Sequence, residues 1–235
     1  MMAGPSNARV VRLNAEMFPV SETERRLLGK YGVQAIEIEA ARPEQIIPHV
    51  RNAHAVCVIS ASLPAAVIDS LDACRLISRL GNRTDKIDVA RATERGIVVA
   101  NVPDFCTDEM ADHVMAMVLS FARQIPRMAR HMRAGAFAQA RSESLALRRL
   151  SSRKLGLIGW GASAHAVARR ALSFGMQVIA TRRQLQRPSP EAKALGIDIV
   201  DLDKLLEDAD FVSLPLPLTA QTRELLSRER LAHMR

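Results

Sequence analysis

Short apolar runs alternate with amphipathic stretches along most of the chain. ARVVRLN (8–14), QAIEIEA (34–40), AVCVIS (55–60), RLISRLG (75–81) and IVVANVP (97–103) are rich in β-branched residues and bounded by turn formers. That pattern predicts five strands. Between them, SETE (21–24) is a capping box whose helix should stop near Gly32, while RPEQIIPHVRN and LPAAVIDSLDA carry helical spacing. Asp88 can cap VARATER, and Gly96 ends it. Strand–helix alternation of this kind builds a parallel α/β sheet, here a domain of about 100 residues.

The pattern changes at Thr107. TDEMADHVMAMVLSFARQIPRMARHMRAGAF predicts a long helical stretch, with Met115, Met117, Val118 and Phe121 on spaced apolar positions as a packing surface. Pro126 should kink or break it. A polar and basic segment, 137–153, follows, and the apolar strand LGLIG then opens a second α/β unit.

That second unit carries the most specific chemistry. Gly159-Trp160-Gly161-Ala162-Ser163-Ala164 fits G-x-G-x-x-G/A between an apolar strand and the helix AHAVARRALSF, which Gly175 ends before the strand MQVIAT. The spacing alone is weak; the whole βαβ unit in register is a dinucleotide fingerprint. Gly159 permits the tight turn, Gly161 lets backbone approach a pyrophosphate, and Ala164 is small enough for helix to pack on strand. The helix N-terminus supplies N–H groups and a positive dipole end to the phosphates. An acid about 20 residues past the loop would grip the ribose 2′-hydroxyl of NAD, but Arg182 and Arg183 stand there. A guanidinium pair suits the 2′-phosphate of NADP; the competing reading is two solvated arginines in a loop.

Composition narrows the field. A net charge of +8 favours an anionic partner. Aromatic residues make up only 3%, too few to build base-stacking platforms, so nucleic acid is not the expected partner. Three cysteines without C-x-x-C spacing argue against disulfide or zinc scaffolds and for a reducing, cytoplasmic compartment, with no metal site. MMAGPSNARVVRLN does not read as a leader, and no uncharged run approaches the ~18 residues of a membrane span.

Several of these stretches together resemble the D-isomer-specific 2-hydroxyacid dehydrogenases. LISRLGNRTDKIDVARATERGIVVANVP is similar to the segment that ends that family's first domain, and TDEMADHVMAMVLSFARQI to the helix that opens its cofactor domain. GWGASAHAVARRALSFGMQVIA and DADFVSLPLPLTAQTREL are similar to its dinucleotide loop and to the strand and loop beside the nicotinamide. The resemblance implies a flavodoxin-like substrate lobe, residues 1–104, followed by an incomplete Rossmann-type dinucleotide-binding domain, residues 105–235, with the substrate between them. The implied chemistry is hydride transfer between NAD(P), NADP favoured by the arginines, and a small 2-hydroxy or 2-keto acid.

Residue by residue, the loop Gly81, Asn82, Arg83 and Thr84 corresponds to the segment whose backbone amides hold the substrate carboxylate; Arg83 departs from a glycine-rich pattern. Arg83 either adds charge for an acidic substrate or obstructs it. Leu214, Pro215 and Pro217 would lie beside the cofactor, Pro215 where many relatives carry His, and Ser163 replaces an apolar residue. The family's catalytic Arg, Glu and His follow the LPLT segment in sequence this chain does not contain, so no catalytic residue is assigned here. His113, His131, His165 and His233 are read as structural, His165 on the surface of its helix. In a Rossmann half the strands 155–159, 176–181, 197–200 and 210–214 would order 3-2-1-4, leaving 210–214 at an edge. The resemblance also implies a homodimer through the 107–150 region. The alternative function is a non-catalytic dinucleotide sensor or scaffold.

Overall fold

The computed structural model describes residues 8–234; the start of the stretch read for a leader, through Asn7, lies outside the described residues, as does Arg235. The chain divides into two compact units, one ending at Phe105 and the other beginning at Cys106.

In the first unit the elements run β1 (Arg9–Leu13), α1 (Glu22–Gly29), β2 (Gln34–Ile38), α2 (Pro43–Val50), β3 (Ala55–Val58), α3 (Ala65–Asp69), β4 (Leu76–Arg79), α4 (Val89–Glu94) and β5 (Val98–Ala100). All five strands are parallel, in the order β2-β1-β3-β4-β5. This is the flavodoxin-like winding, with helices covering both faces of the sheet. Val11 and Leu13 of β1, Val56 and Val58 of β3 and Ile77 of β4 form its buried centre with Ile46, Val50, Val67 and Ile68 from the helices.

The capping box forms as expected: Ser21 Oγ accepts from Glu24 N, and Glu24 accepts from the Ser21 backbone N–H at 2.8 Å. The helix stops at Gly29 rather than near Gly32, which instead takes a left-handed turn (φ +67°) leading into β2. Glu24 also pairs with Arg12, a buried cation on β1 whose other arm donates to the Phe18 carbonyl at 3.1 Å. Just beyond β1, Asn14 sits buried in the left-handed region (φ 61°), and its Oδ1 accepts from the Ser60 and Ala61 amides at 3.0 and 2.9 Å. One side chain thus accepts from two N–H groups just after β3, of which the Ala61 amide would otherwise be buried unpaired.

The second unit runs α5 (Thr107–Ala122), α6 (Ile125–Arg133), α7 (Phe137–Ser144), a 3-10 turn (Leu150–Ser152), β6 (Lys154–Ile158), α8 (Ala162–Ser173), β7 (Gln177–Thr181), α9 (Pro190–Ala194), β8 (Asp198–Ile199), α10 (Leu202–Asp208), β9 (Phe211–Ser213) and α11 (Arg228–Ala232). The long helical stretch is therefore broken. The break falls at Gln124, a left-handed residue (φ 47°), and Pro126 sits in the first turn of the new helix, where its missing N–H costs nothing. The polar segment from 137 contains α7, which its composition did not suggest.

The four parallel strands order β8-β7-β6-β9, the expected 3-2-1-4, with β9 at an edge. Alternation along β6 sorts the core into two layers. Leu155 and Leu157 join Ala164, Ala168 and Ala171 of α8 and Ala111, Met115 and Val118 of α5. Ile158 packs on the opposite face with Leu205, Leu206 and Ala209. Gly156 lets α10 approach: a Cβ there would lie 2.5 Å from Leu205 Cδ2. Arg170 of α8 ties α5 down through Asp108 and Asp112.

Replacing Asn14 by Ala should lower the stability of the protein by about 1–3 kcal/mol, because the buried Ala61 amide loses its acceptor. Urea denaturation followed by circular dichroism measures it; an unchanged midpoint would mean that water serves that amide equally well.

Candidate functional site

The glycine loop sits where β6 hands over to α8. Gly159 takes φ +112°, and a Cβ there would lie 3.1 Å from the Pro215 carbonyl oxygen and 3.3 Å from Leu216 Cβ. A side chain there would be crowded as well as strained by the backbone angle. Gly161 differs. It is the N-cap of α8 in an extended conformation (φ −124°), and a Cβ there would meet nothing within 4 Å. No side chain caps this helix, so the amides of Ala162, Ser163 and Ala164 stand uncapped in its first turn. An uncapped first turn behind a bare glycine offers the donors and the room that a diphosphate needs. Ala164 is fully buried, as close packing of α8 requires.

At the end of β7, Arg182 is half-buried and Arg183 exposed. The Nε and Nη2 atoms of Arg182 are buried without a hydrogen-bond partner. Buried guanidinium donors without acceptors are costly, and an anionic ligand would relieve them. Both arginines border a cleft of about 540 Å³ that is also lined by Gly159, Trp160, Leu202, Leu216 and Pro217. The Trp160 indole donates to Ser189 Oγ at 3.0 Å, fastening the glycine loop to the segment after β7.

His165 is not the surface residue that its place in the sequence suggested. Its ring lies against Trp160 (centroids 4.4 Å apart), with Nε2 buried and unpartnered. Burial lowers its pKa, and the nearby Glu191 opposes that shift. Glu191 is itself held below the usual carboxylate range by its own backbone N–H, by the Ser189 hydroxyl and by the charges of His165 and Arg182. The sequence spacing showed nothing of this cluster, because Trp160, His165 and Glu191 meet only through the fold.

In the first unit, the loop after β4 is built from its carbonyls. Gly81 O accepts from Val102 N at 3.0 Å, Asn82 O from Asn101 Nδ2 at 2.7 Å and Arg83 O from Arg79 Nε at 2.9 Å. Thr84 O accepts from Ile87 N. Among the described residues, no acceptor meets the backbone N–H groups of Asn82, Arg83 or Thr84. Gly81 takes φ +154°, and a Cβ there would lie 2.5 Å from the Arg79 guanidinium, the movable end of a flexible side chain. The Arg83 side chain is held by Asp85 in a bidentate pair at 2.9 and 3.0 Å, which lowers the Asp85 pKa.

The 540 Å³ cleft thus gathers Gly159, Trp160, Arg182, Arg183 and Pro217 of the expected residues. Gly161, Ala162, Ser163 and Ala164 belong to the turn and helix behind it, Pro215 touches the loop through its carbonyl, and Leu214 is exposed. Leu202, Leu216, Thr222 and Leu225 also line it and were not anticipated. Among the described residues no cluster of His, Cys, Asp or Glu could hold a metal ion, and no helix is long and apolar enough to cross a membrane.

Comparison with known proteins bears on the same region. The sequence profile described as "D-isomer specific 2-hydroxyacid dehydrogenase, NAD binding domain" matches residues 115–235. The chain is 32% identical to the D-3-phosphoglycerate dehydrogenase of Methanocaldococcus jannaschii, over 92% of this chain and 41% of that protein. It is also 32% identical to the hydroxypyruvate reductase of Thermotoga maritima, over 92% of this chain and 69% of the relative. Among solved structures, the TT0316 protein of Thermus thermophilus superposes with a TM-score of 0.82 at 30% identity, covering 97% of this chain and 70% of that one. The chain therefore spans between 41% and 69% of the length of these two curated relatives.

The two glycines should separate by experiment. Gly161→Val should leave the melting temperature within about 2 °C and abolish dinucleotide binding, since its side chain enters open space before the helix. Gly159→Ala should cost about 1–3 kcal/mol of stability, because it is strained whatever the ligand. Thermal melts and calorimetric titration of both variants check the pair; equal melting would refute the distinction.

Proposed function

This chain belongs to the D-isomer specific 2-hydroxyacid dehydrogenase family, and we propose that it carries the dinucleotide site of such an enzyme, with NADP favoured over NAD. The whole protein would transfer a hydride between NAD(P) and C2 of a small 2-hydroxy or 2-keto acid. The observation that carries the cofactor preference is the half-buried guanidinium of Arg182 lining the 540 Å³ cleft, its Nε and Nη2 without acceptors among the described residues, with Arg183 beside it and no acid among the residues lining the cleft. A bound nicotinamide supplies the hydride.

The protein's own part is positioning. The bare turn at Gly159–Gly161 and the uncapped start of α8 would hold the diphosphate, and Leu202, Leu216 and Pro217 offer an apolar wall for a flat base. Residues 105–235 would form the dinucleotide-binding domain and residues 1–104 the substrate-side lobe. In that lobe the open amides of Asn82, Arg83 and Thr84 would take the substrate carboxylate. With its guanidinium drawn to Asp85, Arg83 leaves those amides unobstructed by its own charge pair. Three free thiols suit a cytoplasmic setting.

A second copy of the chain is the proposed protein partner, through the 107–150 region. Phe121 and Phe137 are 69% and 59% exposed, and Met117, Ile125, Met132 and Leu145 are exposed on the same group of helices. So many large apolar side chains on one segment suit a covered surface better than a solvated one.

Titration of NADPH and NADH, read by calorimetry, tests the cofactor reading. NADPH should bind more tightly, and the double variant Arg182→Ala/Arg183→Ala should weaken NADPH by about 10- to 100-fold and NADH by less than about 3-fold. Equal losses would remove the 2′-phosphate role. For the pairing, light scattering should give twice the chain mass, and Phe121→Asp should shift the population to monomer; a monomeric parent protein would refute it.

A further inference from the structure

Arg182 borders two clefts, not one. Besides the apolar-walled cleft it shares with Arg183, it lines an adjoining cleft of about 460 Å³ with Arg187 and Lys193. The two differ in chemistry. The first presents Ile158, Leu202, Leu216, Pro217 and Leu225. The second presents three cations, Arg182, Arg187 and Lys193, against a single carboxylate, Asp198 at the start of β8.

The chain between the two clefts is shaped to bring Arg187 back. Arg187 N donates to Gln184 O at 3.2 Å, closing a tight turn directly after the arginine pair. Pro188 then restricts the backbone, and Ser189 is fastened to the glycine loop by the Trp160 indole and to α9 by accepting from Ala192 N at 3.4 Å. The other carboxylate in reach of Arg182, Glu191, is engaged by the Ser189 hydroxyl at 3.3 Å, while Arg182 Nε and Nη2 meet no acceptor among the described residues.

We infer that a ribose 2′-phosphate seats on the Arg187 side of Arg182, not beside Arg183, so that Arg187 is a specificity-determining residue for the cofactor. This rests on the NADP reading above and refines it. The apolar cleft takes the adenine, Arg182 stands at the ribose between the two clefts, and the turn at Gln184–Arg187 delivers the second guanidinium to the phosphate. Lys193 adds charge from α9. Arg183, on the adenine side, contributes little to the discrimination.

Two small probes separate the inference from the reading beneath it: adenosine 2′,5′-bisphosphate and adenosine 5′-monophosphate, titrated calorimetrically into the 235-residue protein. The parent protein should prefer the bisphosphate. Arg187→Ala should remove about tenfold of that preference with 5′-monophosphate affinity unchanged, and Arg183→Ala should remove less than about threefold, the loss expected for one charge-assisted contact against none. If Arg183→Ala abolishes the preference and Arg187→Ala preserves it, the phosphate lies in the other cleft and the inference is wrong. If neither variant changes it, the assignment of Arg187 is likewise overturned. If the parent protein shows no preference, the NADP reading itself falls.

Discussion

The second unit depends on a close approach of backbone at Gly159. A Cβ at residue 159 would sit 3.1 Å from the Pro215 carbonyl oxygen, a tight approach in a backbone conformation (φ +112°) that side chains rarely adopt. From it follow the direction in which the chain enters α8, the exposure of its first-turn amides and the position of Leu216 as a wall of the cleft. The constraint is steric and needs no ligand. It therefore holds the site in shape before any anion arrives, which is the condition under which helix-terminal amides are most useful.

Local pattern carried most of the architecture. Short apolar runs such as AVCVIS and LGLIG became β3 and β6, and the capping box opened α1 with both of its bonds made. These features are settled by residues close in sequence. What stayed hidden depended on distant partners. Nothing in the segment 123–126 announces that Gln124 adopts a left-handed conformation. Asn14 falls at the end of the strand predicted over 8–14, yet its side chain serves amides at Ser60 and Ala61.

The candidate site divides in the same way. Gly159, Gly161 and Ala164 could be read directly because their spacing falls within one short stretch of sequence, although the neighbours that crowd Gly159, Pro215 and Leu216, lie far along the chain. Leu202 and Leu225 could not, since they reach the cleft from α10 and from the loop after β9. His165 shows how a helical position misleads: the first turn of a helix is usually wet, but Trp160 packs against its half-buried ring and its Nε2 is buried. Arg182 was identified by type and spacing, whereas its lack of any acceptor became visible only in three dimensions.

Arg170 has a bearing on where this fold can be cut. Although α5 precedes the strands of the second unit by a long interval of chain, it is bound to α8 by Asp108 and Asp112 and by the buried Ala111 and Met115. The region matched by the family profile begins only at residue 115, inside that helix. A piece trimmed to the profile would strip two carboxylates from Arg170 and uncover the alanine face of α8. Boundaries drawn from sequence similarity and from packing thus differ by about two turns of helix. A separately expressed cofactor unit would have to start at Cys106 to keep its own outer layer.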